Sequence, residues 1–427
     1  MTLRKNRVAI SLEAIRYQAA SSLFLKLTEL FDQMLERTAR VRLTEQLFKE
    51  FDIAKVVRDE TNLRTVQYLE KDVLNAFVYP PDIDRNNPIV NDWMKGYMQN
   101  TDALTMIKNA RGAIKGRVNR AESKVYGCFE ELEISIHLGD LFFNGKKRKY
   151  SGEQIAAILL HELGHVFSYL EALGEMVSMN GILSAICREV TSGVSEERKL
   201  ALLTETERVL DINIDRKAEL AKLNDADGYQ VVILEARVRE SRSALGSDVY
   251  DYRWWESASD QFATRHGAGK ALATGLDTLM RDMGSSSYWS GPRFWFTEAF
   301  KWLVVAPFLF SIATIPYLVI LFSWCPLYND YDNPGERIAR IRREMQGELK
   351  SPAITPVRRK KILEDLDVVA NLEKDINDRK TLFYRLWTVF NGRMRAQDRQ
   401  IAIQQTLEEL ANNDLFVSAA RIKDLTK

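Results

Sequence analysis

The spacing of apolar and polar positions changes several times along the chain, and each change predicts a different element. Residues 1 to about 70 carry Leu23, Leu25, Leu27, Leu30, Phe31 and Leu35 mainly at helical spacings among Glu, Arg and Lys, which predicts a helical N-terminal region. From about Asp72 the texture shifts, and Val73-Leu-Asn-Ala-Phe-Val-Tyr79 reads as a strand closed by Pro80-Pro81. Residues 82–125 form a mixed insertion containing Trp93, Met94 and Tyr97, with no function assigned. Leu132, Ile134, Ile136 and Leu138 then alternate with Glu131, Glu133, Ser135 and His137, the period of a strand with one buried face and His137 on the polar one. Ser151-Gly-Glu-Gln154 has the spacing of a capping box, so a helix is predicted to open there and run into His161. The stretch from about 171 to 245 reads as charged, solvated helix with breaks at Gly193 and Gly228, and helical texture returns after Pro352 and Pro356 through to Lys427.

Composition narrows the partners. The 60 Lys and Arg nearly cancel 59 Asp and Glu, so no global field attracts nucleic acid. Cys128, Cys187 and Cys325 are odd in number and far apart, which argues for a reducing compartment and against both disulfides and a thiolate metal site. The N-terminus is basic at Arg4, Lys5 and Arg7, but Glu13 and Arg16 interrupt any secretory apolar stretch, so no signal peptide is expected.

The chemistry concentrates in His161-Glu-Leu-Gly-His165. Two histidines four apart on a helix lie about 40° apart around its axis, so their imidazoles can converge on one tetrahedral ion. Glu162, beside the first, is placed to take a proton from a water on such an ion, the division of labour of a metallopeptidase. Gly164 between them would let another backbone come close. A third ligand must come from elsewhere. Glu171 stands six residues beyond His165, but a metzincin pattern would also need Gly where Ser168 stands. Trp254-Trp-Glu-Ser-Ala-Ser-Asp-Gln-Phe-Ala263 offers Glu256 and Asp260 four apart, so that Glu256 could bind the ion and Asp260 orient a ligand histidine from behind. His266 would face away from Glu256 on a continuing helix and reads as an ordinary, partly exposed histidine.

Taken in order, these pieces resemble the gluzincin family of zinc peptidases that includes the CAAX prenyl protease, the bacterial heat-shock membrane protease and the mitochondrial inner-membrane stress protease. Asn75-Ala-Phe77 looks like its Asn-Ala-Phe strand, His161 to His165 its zinc helix, Glu256-Ser-Ala-Ser-Asp260 its Glu-x-x-x-Asp helix, and Asn333-Pro-Gly-Glu-Arg-Ile338 its His-Pro-x-x-x-Arg-Ile segment. The resemblance spans about Asp72 to Arg343 with insertions. It implies one Zn2+ held by His161, His165 and Glu256, Glu162 as general base, Asp260 behind the ligands, and an edge at Asn75, Ala76 and Phe77 that pairs with an extended peptide. Asn333 departs from the family's His, so the donor to a developing oxyanion is open among Asn333, Arg337, Tyr331 and Tyr288.

Trp302 to Cys325 contains 24 residues without a charge, with Trp302 and Trp324 at its ends and Trp289, Trp295, Tyr328 and Tyr331 beyond them, which predicts a membrane segment. A single span would part Glu256 from Arg337. Pro307 and Pro316 therefore favour a re-entrant hairpin, with membrane lipid as a partner and the catalytic domain on the cytoplasmic side, where Arg337, Arg340, Arg342 and Arg343 follow. The expectation is an α+β chain, predominantly helical: a helical region at 1–70, a zincin-like domain at 71–345 including 302–325, and a helical region at 346–427. Its expected activity is zinc-dependent hydrolysis of a protein or peptide, with no nucleic-acid partner. The competing class is a non-catalytic membrane-bound or assembly protein that keeps the metal as a structural element.

Overall fold

The computed structural model describes residues 21–81, 102–110, 115–119, 121–144, 149–245, 252–282, 334–349 and 354–378, with single positions between 83 and 97. The uncharged run 302–325, Asn333, Tyr288 and Tyr331 lie outside the described residues. Within them the chain is predominantly helical with few strands, the coarse α+β arrangement that the periodicity predicts.

Helix α1 (Ser22–Thr38) starts where Ser21 accepts a hydrogen bond from the Phe24 amide, and it buries Leu23, Phe24, Leu27, Phe31, Met34 and Leu35 as one stripe. Helices α2 (Glu45–Glu50) and α3 (Ile53–Thr61) are capped in the same way by Thr44 and Asp52, and Asn62 in the left-handed region ends the second of them. The helical texture expected up to about residue 70 stops there, because Arg64–Glu70 is strand β1. Its Thr65-Val-Gln-Tyr-Leu69 run suits a half-buried pleat, and its partner strand lies far along the chain, beyond what local spacing can show.

After β2 (Ala76–Tyr79) come α4 (Ala103–Asn109), the short hairpin β3 (Arg117–Asn119) and β4 (Lys124–Tyr126), and then β5 (Glu133–Gly139). The main sheet has the order β1-β5-β2, with β5 parallel to β1 and antiparallel to β2, so β2 is an edge strand among the described residues. Ile134, Ile136, Leu138, Ala76 and Val78 are buried on one face, while Tyr68, His137, Phe77 and Tyr79 share the other.

A four-residue helix α5 (Leu141–Asn144) leads to α6 (Gly152–Thr191), the spine of the molecule. Its predicted capping box is present: Gln154 N donates to Ser151 Oγ at 3.3 Å and Ser151 N to Gln154 Oε1 at 3.0 Å. At about 1.5 Å per residue it runs about 60 Å and serves two hydrophobic clusters. Residues Ile155 to Val177 pack with α1 and the sheet. Ile182 to Val190 pack with α4, α7 (Glu196–Leu210), α8 (Lys217–Leu220) and α9 (Ala226–Leu245) around the buried Tyr229, whose hydroxyl donates to Leu220 O at 2.8 Å. The segment 171–245 therefore has a core of its own. Gly193, at φ 74°, does follow the end of α6, whereas Gly228 lies inside the first turn of α9 and breaks nothing.

Helix α10 (Tyr252–Ala263) passes through one π-helical turn, Thr264–Ala268, into α11 (Gly269–Asp282). Gly267 makes that turn with φ 87°, a conformation closed to most other residues. Helices α12 (Pro334–Glu348) and α13 (Pro356–Asp378) pack together, locked by a buried two-point pair from Arg358 to Glu348 at 2.7 and 2.9 Å. One helix among the described residues, α6, is long and apolar enough to cross a membrane. It is also the element on which both hydrophobic clusters are built.

Candidate metal centre

The site forms where α6 crosses α10. Gly164 makes the crossing close, since a Cβ there would stand 2.7 Å from the Ser259 Cα, and Phe167 stacks on Phe262 at 4.9 Å between centroids one turn further on. The i,i+4 spacing on each helix then aims His161 and His165 at Glu256. His161 Nε2 and His165 Nε2 are 3.2 Å apart, and Glu256 places Oε2 3.4 Å from the first and Oε1 3.4 Å from the second. Four-coordinate bonds of about 2.0–2.1 Å put neighbouring ligand atoms about 3.3 Å apart, so these donors are spaced for one tetrahedral ion. Such an ion could be held by this His-His-Glu group.

Behind the two histidines, His161 Nδ1 lies 2.9 Å from Asp260 Oδ1, which fixes the ring, and Arg337 Nη2 lies 3.0 Å from His161 Nε2. Arg337, from α12, donates through Nε to Asp260 Oδ2 at 2.8 Å and through Nη2 to Oδ1 at 2.8 Å, and Nη2 also lies 3.0 Å from Glu256 Oε2. His161, Glu256, Asp260 and Arg337 are all buried, whereas the His165 side chain keeps 22% exposure, so the centre opens on the His165 side. Glu162 is half-buried beside it.

Electrostatics follow from this crowding. Burial and the Arg337 charge disfavour an imidazolium at His161, but the Asp260 and Glu256 carboxylates outweigh both and raise its pKa to about 9. Burial opposes charge on Glu256 and Asp260; the two histidines and Arg337 reverse the balance for Glu256, and Arg337 with His161 does so for Asp260, holding Asp260 at about 2 and Glu256 well below the carboxylate range. Glu162 moves the other way, because burial outweighs the neighbouring histidines and raises it. Glu256 Oε2 is buried and accepts no well-formed hydrogen bond despite its ion pair with Arg337. A cation held between the two histidines and Glu256 would give that oxygen a partner. The donor set therefore fits a bound metal ion.

The remaining candidates sort by position. Glu256, and not Glu171, joins the two histidines in the group. His266 is not the partly exposed residue expected: it is 3% exposed, its Nε2 lies 3.0 Å from Ser123 Oγ, and burial lowers its pKa to about 4. The π-turn at Gly267 explains the difference, since the helix does not continue regularly past Ala263 and the ring swings under the β3–β4 hairpin. Asn75, Ala76 and Phe77 lie at the start of β2; the Asn75 Oδ1 accepts from the Ala76 amide and its carbonyl from Gly139 N. Tyr169, four residues beyond His165, donates its hydroxyl to Pro81 O at 2.9 Å and so ties the end of that edge to the ligand helix. Nothing in the spacing singled out Tyr169, although its place one turn past a ligand was the available signal. Arg337, a candidate oxyanion donor by sequence, is engaged with Asp260 and Glu256.

No family model matches the chain, and neither the curated proteins nor the solved structures contain a match to it.

Proposed function

We propose that the chain is a zinc-dependent endopeptidase with a zincin-like catalytic domain of the gluzincin kind, acting on protein or peptide substrates. The observation that carries this reading is the spacing of His161 Nε2, His165 Nε2 and the Glu256 carboxylate, with Glu162 beside them. Among the metals that accept imidazole and carboxylate, zinc suits a four-coordinate site with three protein ligands and one open position. Held there, zinc would supply Lewis acidity to a water and to the scissile carbonyl.

The chain's own residues do the rest. Glu162, raised by burial, is poised to take a proton at its carboxylate oxygen and return it to the leaving amine. Asp260 fixes the ring of His161, and Arg337 fixes Asp260, so the ligand geometry is set before substrate arrives. With Arg337 occupied in this way, Asn333, Tyr288 and Tyr331 remain the candidates for charge stabilisation at the carbonyl oxygen. The edge of β2, which no other described strand pairs, would pair with the backbone of an extended substrate. Membrane association through 302–325, with the catalytic domain on the cytoplasmic side, belongs to the same reading and rests on the uncharged length of that run and the arginines after it.

The test is removal and return of the metal. Cleavage of an unfolded protein is expected to stop on dialysis against a chelator and to recover with one equivalent of Zn2+; cleavage that persists in the chelated protein contradicts the reading.

A further inference from the structure

The outer face of the main sheet carries a continuous aromatic row that the metal chemistry does not use. Tyr68 on β1, His137 on β5 and Phe77 on β2 stand opposite one another in register. Tyr68 stacks on the His137 ring at 4.9 Å, Tyr79 meets the same ring edge-on at 5.1 Å, and Phe77 stacks with Tyr79 at 6.0 Å. Glu70 Oε1, 2.6 Å from His137 Nδ1, fixes the orientation of the imidazole. Tyr79 keeps 54% exposure and Tyr68 45%, although apolar strand residues on the opposite face of the sheet are buried. The row ends at β2, and two residues beyond that strand the Pro81 carbonyl accepts the Tyr169 hydroxyl of α6.

We propose that this row selects the substrate: Phe77 and Tyr79 form two side-chain subsites for an extended peptide with aromatic or large aliphatic residues at two positions separated by one. The proposal rests on the peptidase reading and follows from strand parity. A peptide added to the edge of β2 places alternate side chains on the same face as Phe77 and Tyr79, with Cβ atoms about 5 Å from theirs. The residue between them falls opposite Val78 and points to the buried face, toward α6. His137, stacked on Tyr68, buttresses the Tyr79 ring, and Tyr79 in turn stacks with Phe77, so that aromatic surface is presented in a fixed position. The occupant is a peptide strand because the rings flank a backbone edge that no other described strand pairs, tied to the histidine helix through Pro81 and Tyr169, and a peptide strand supplies backbone groups and alternating side chains together.

The experiment measures binding in the zinc-loaded Glu162→Gln chain, so that turnover is not needed. Three fluorescent peptides are compared, identical except for two Phe one residue apart, two Phe adjacent, or two Ala one residue apart. The spaced Phe peptide is expected to bind about tenfold more tightly than the Ala peptide, and the adjacent pair to lose most of that gain. Adding Tyr79→Thr, which suits a strand and sits at an exposed position, should bring the ratio close to one, while Tyr79→Phe should keep it. A ratio near one in the parent, equal binding of spaced and adjacent Phe, or a ratio unmoved by Tyr79→Thr overturns the proposal. Self-association of the chain that Tyr79→Thr abolishes would also overturn it, by assigning the face to a second copy. Selective binding without any cleavage by the wild-type chain would contradict the peptidase reading while supporting the aromatic selection; cleavage with no preference for spaced Phe would do the reverse.

Discussion

At the scale of single residues, the centre depends on a chain of orientation that runs from Arg337 to Asp260 to His161. Asp260→Asn keeps the shape but gives up the charge that holds the His161 N–H and pairs with Arg337. Metal affinity is expected to fall about 10- to 100-fold, measured by competition with a chromophoric chelator; unchanged affinity would show that the carboxylate charge is not needed. His266 gives a separate prediction about stability. Its folded pKa of about 4 lies below the unfolded value of about 6.5, so the unfolded chain binds a proton first as the pH falls. The stability associated with neutral His266 is thus fully present above about pH 6.5 and is lost toward about pH 4, by as much as about 3 kcal/mol. His266→Gln should flatten the pH dependence of the urea midpoint over that window, and a slope identical to wild type would refute the assignment. The pairing of His161 with His165 was legible in the sequence because their spacing is a property of a single helix. Glu256 and Asp260 were legible for the same reason, one helix at a time. The partner of Arg337 was not, since only folding brings positions 77 residues apart within 2.8 Å.

At the scale of elements, the site is a crossing of two helices, and Gly164 sets how close they come. A methyl group there meets the α10 backbone rather than the end of a flexible side chain, so the helices must separate. Gly164→Ala is expected to cost about 1–3 kcal/mol of stability and to weaken metal binding, because His161 and His165 would move away from Glu256. Thermal unfolding read together with metal content checks this, and normal values for both would contradict the close crossing. The capping box at Ser151 and the alternation in β5 declared these elements in local sequence, and both are present. β1 did not declare itself, because its strand character is completed by pairing with β5 rather than by its own alternation. The π-turn at Gly267 was not legible either, because one glycine inside helical texture does not specify a change of helix type.

At the scale of the whole molecule, one 40-residue helix joins two hydrophobic clusters, and the candidate metal centre lies on the first of them. The predominance of helix and the presence of a few alternating strands followed from hydrophobic periodicity. The second cluster did not, because charged outer faces on α7 and α9 masked the buried stripe around Tyr229 and Ile233. The fit of the donor atoms to a metal ion joins these scales: sequence spacing supplies the pairs, the helix crossing supplies the convergence, and the core holds the crossing in place.

In the proposed mechanism Glu162 works as a base beside a metal held by His161, His165 and Glu256. Its most direct test measures metal content and cleavage of an unfolded protein on the same preparation of Glu162→Gln. One zinc ion per chain with cleavage reduced about 10²- to 10⁴-fold is the predicted result; undiminished cleavage in a zinc-loaded Glu162→Gln chain would contradict it.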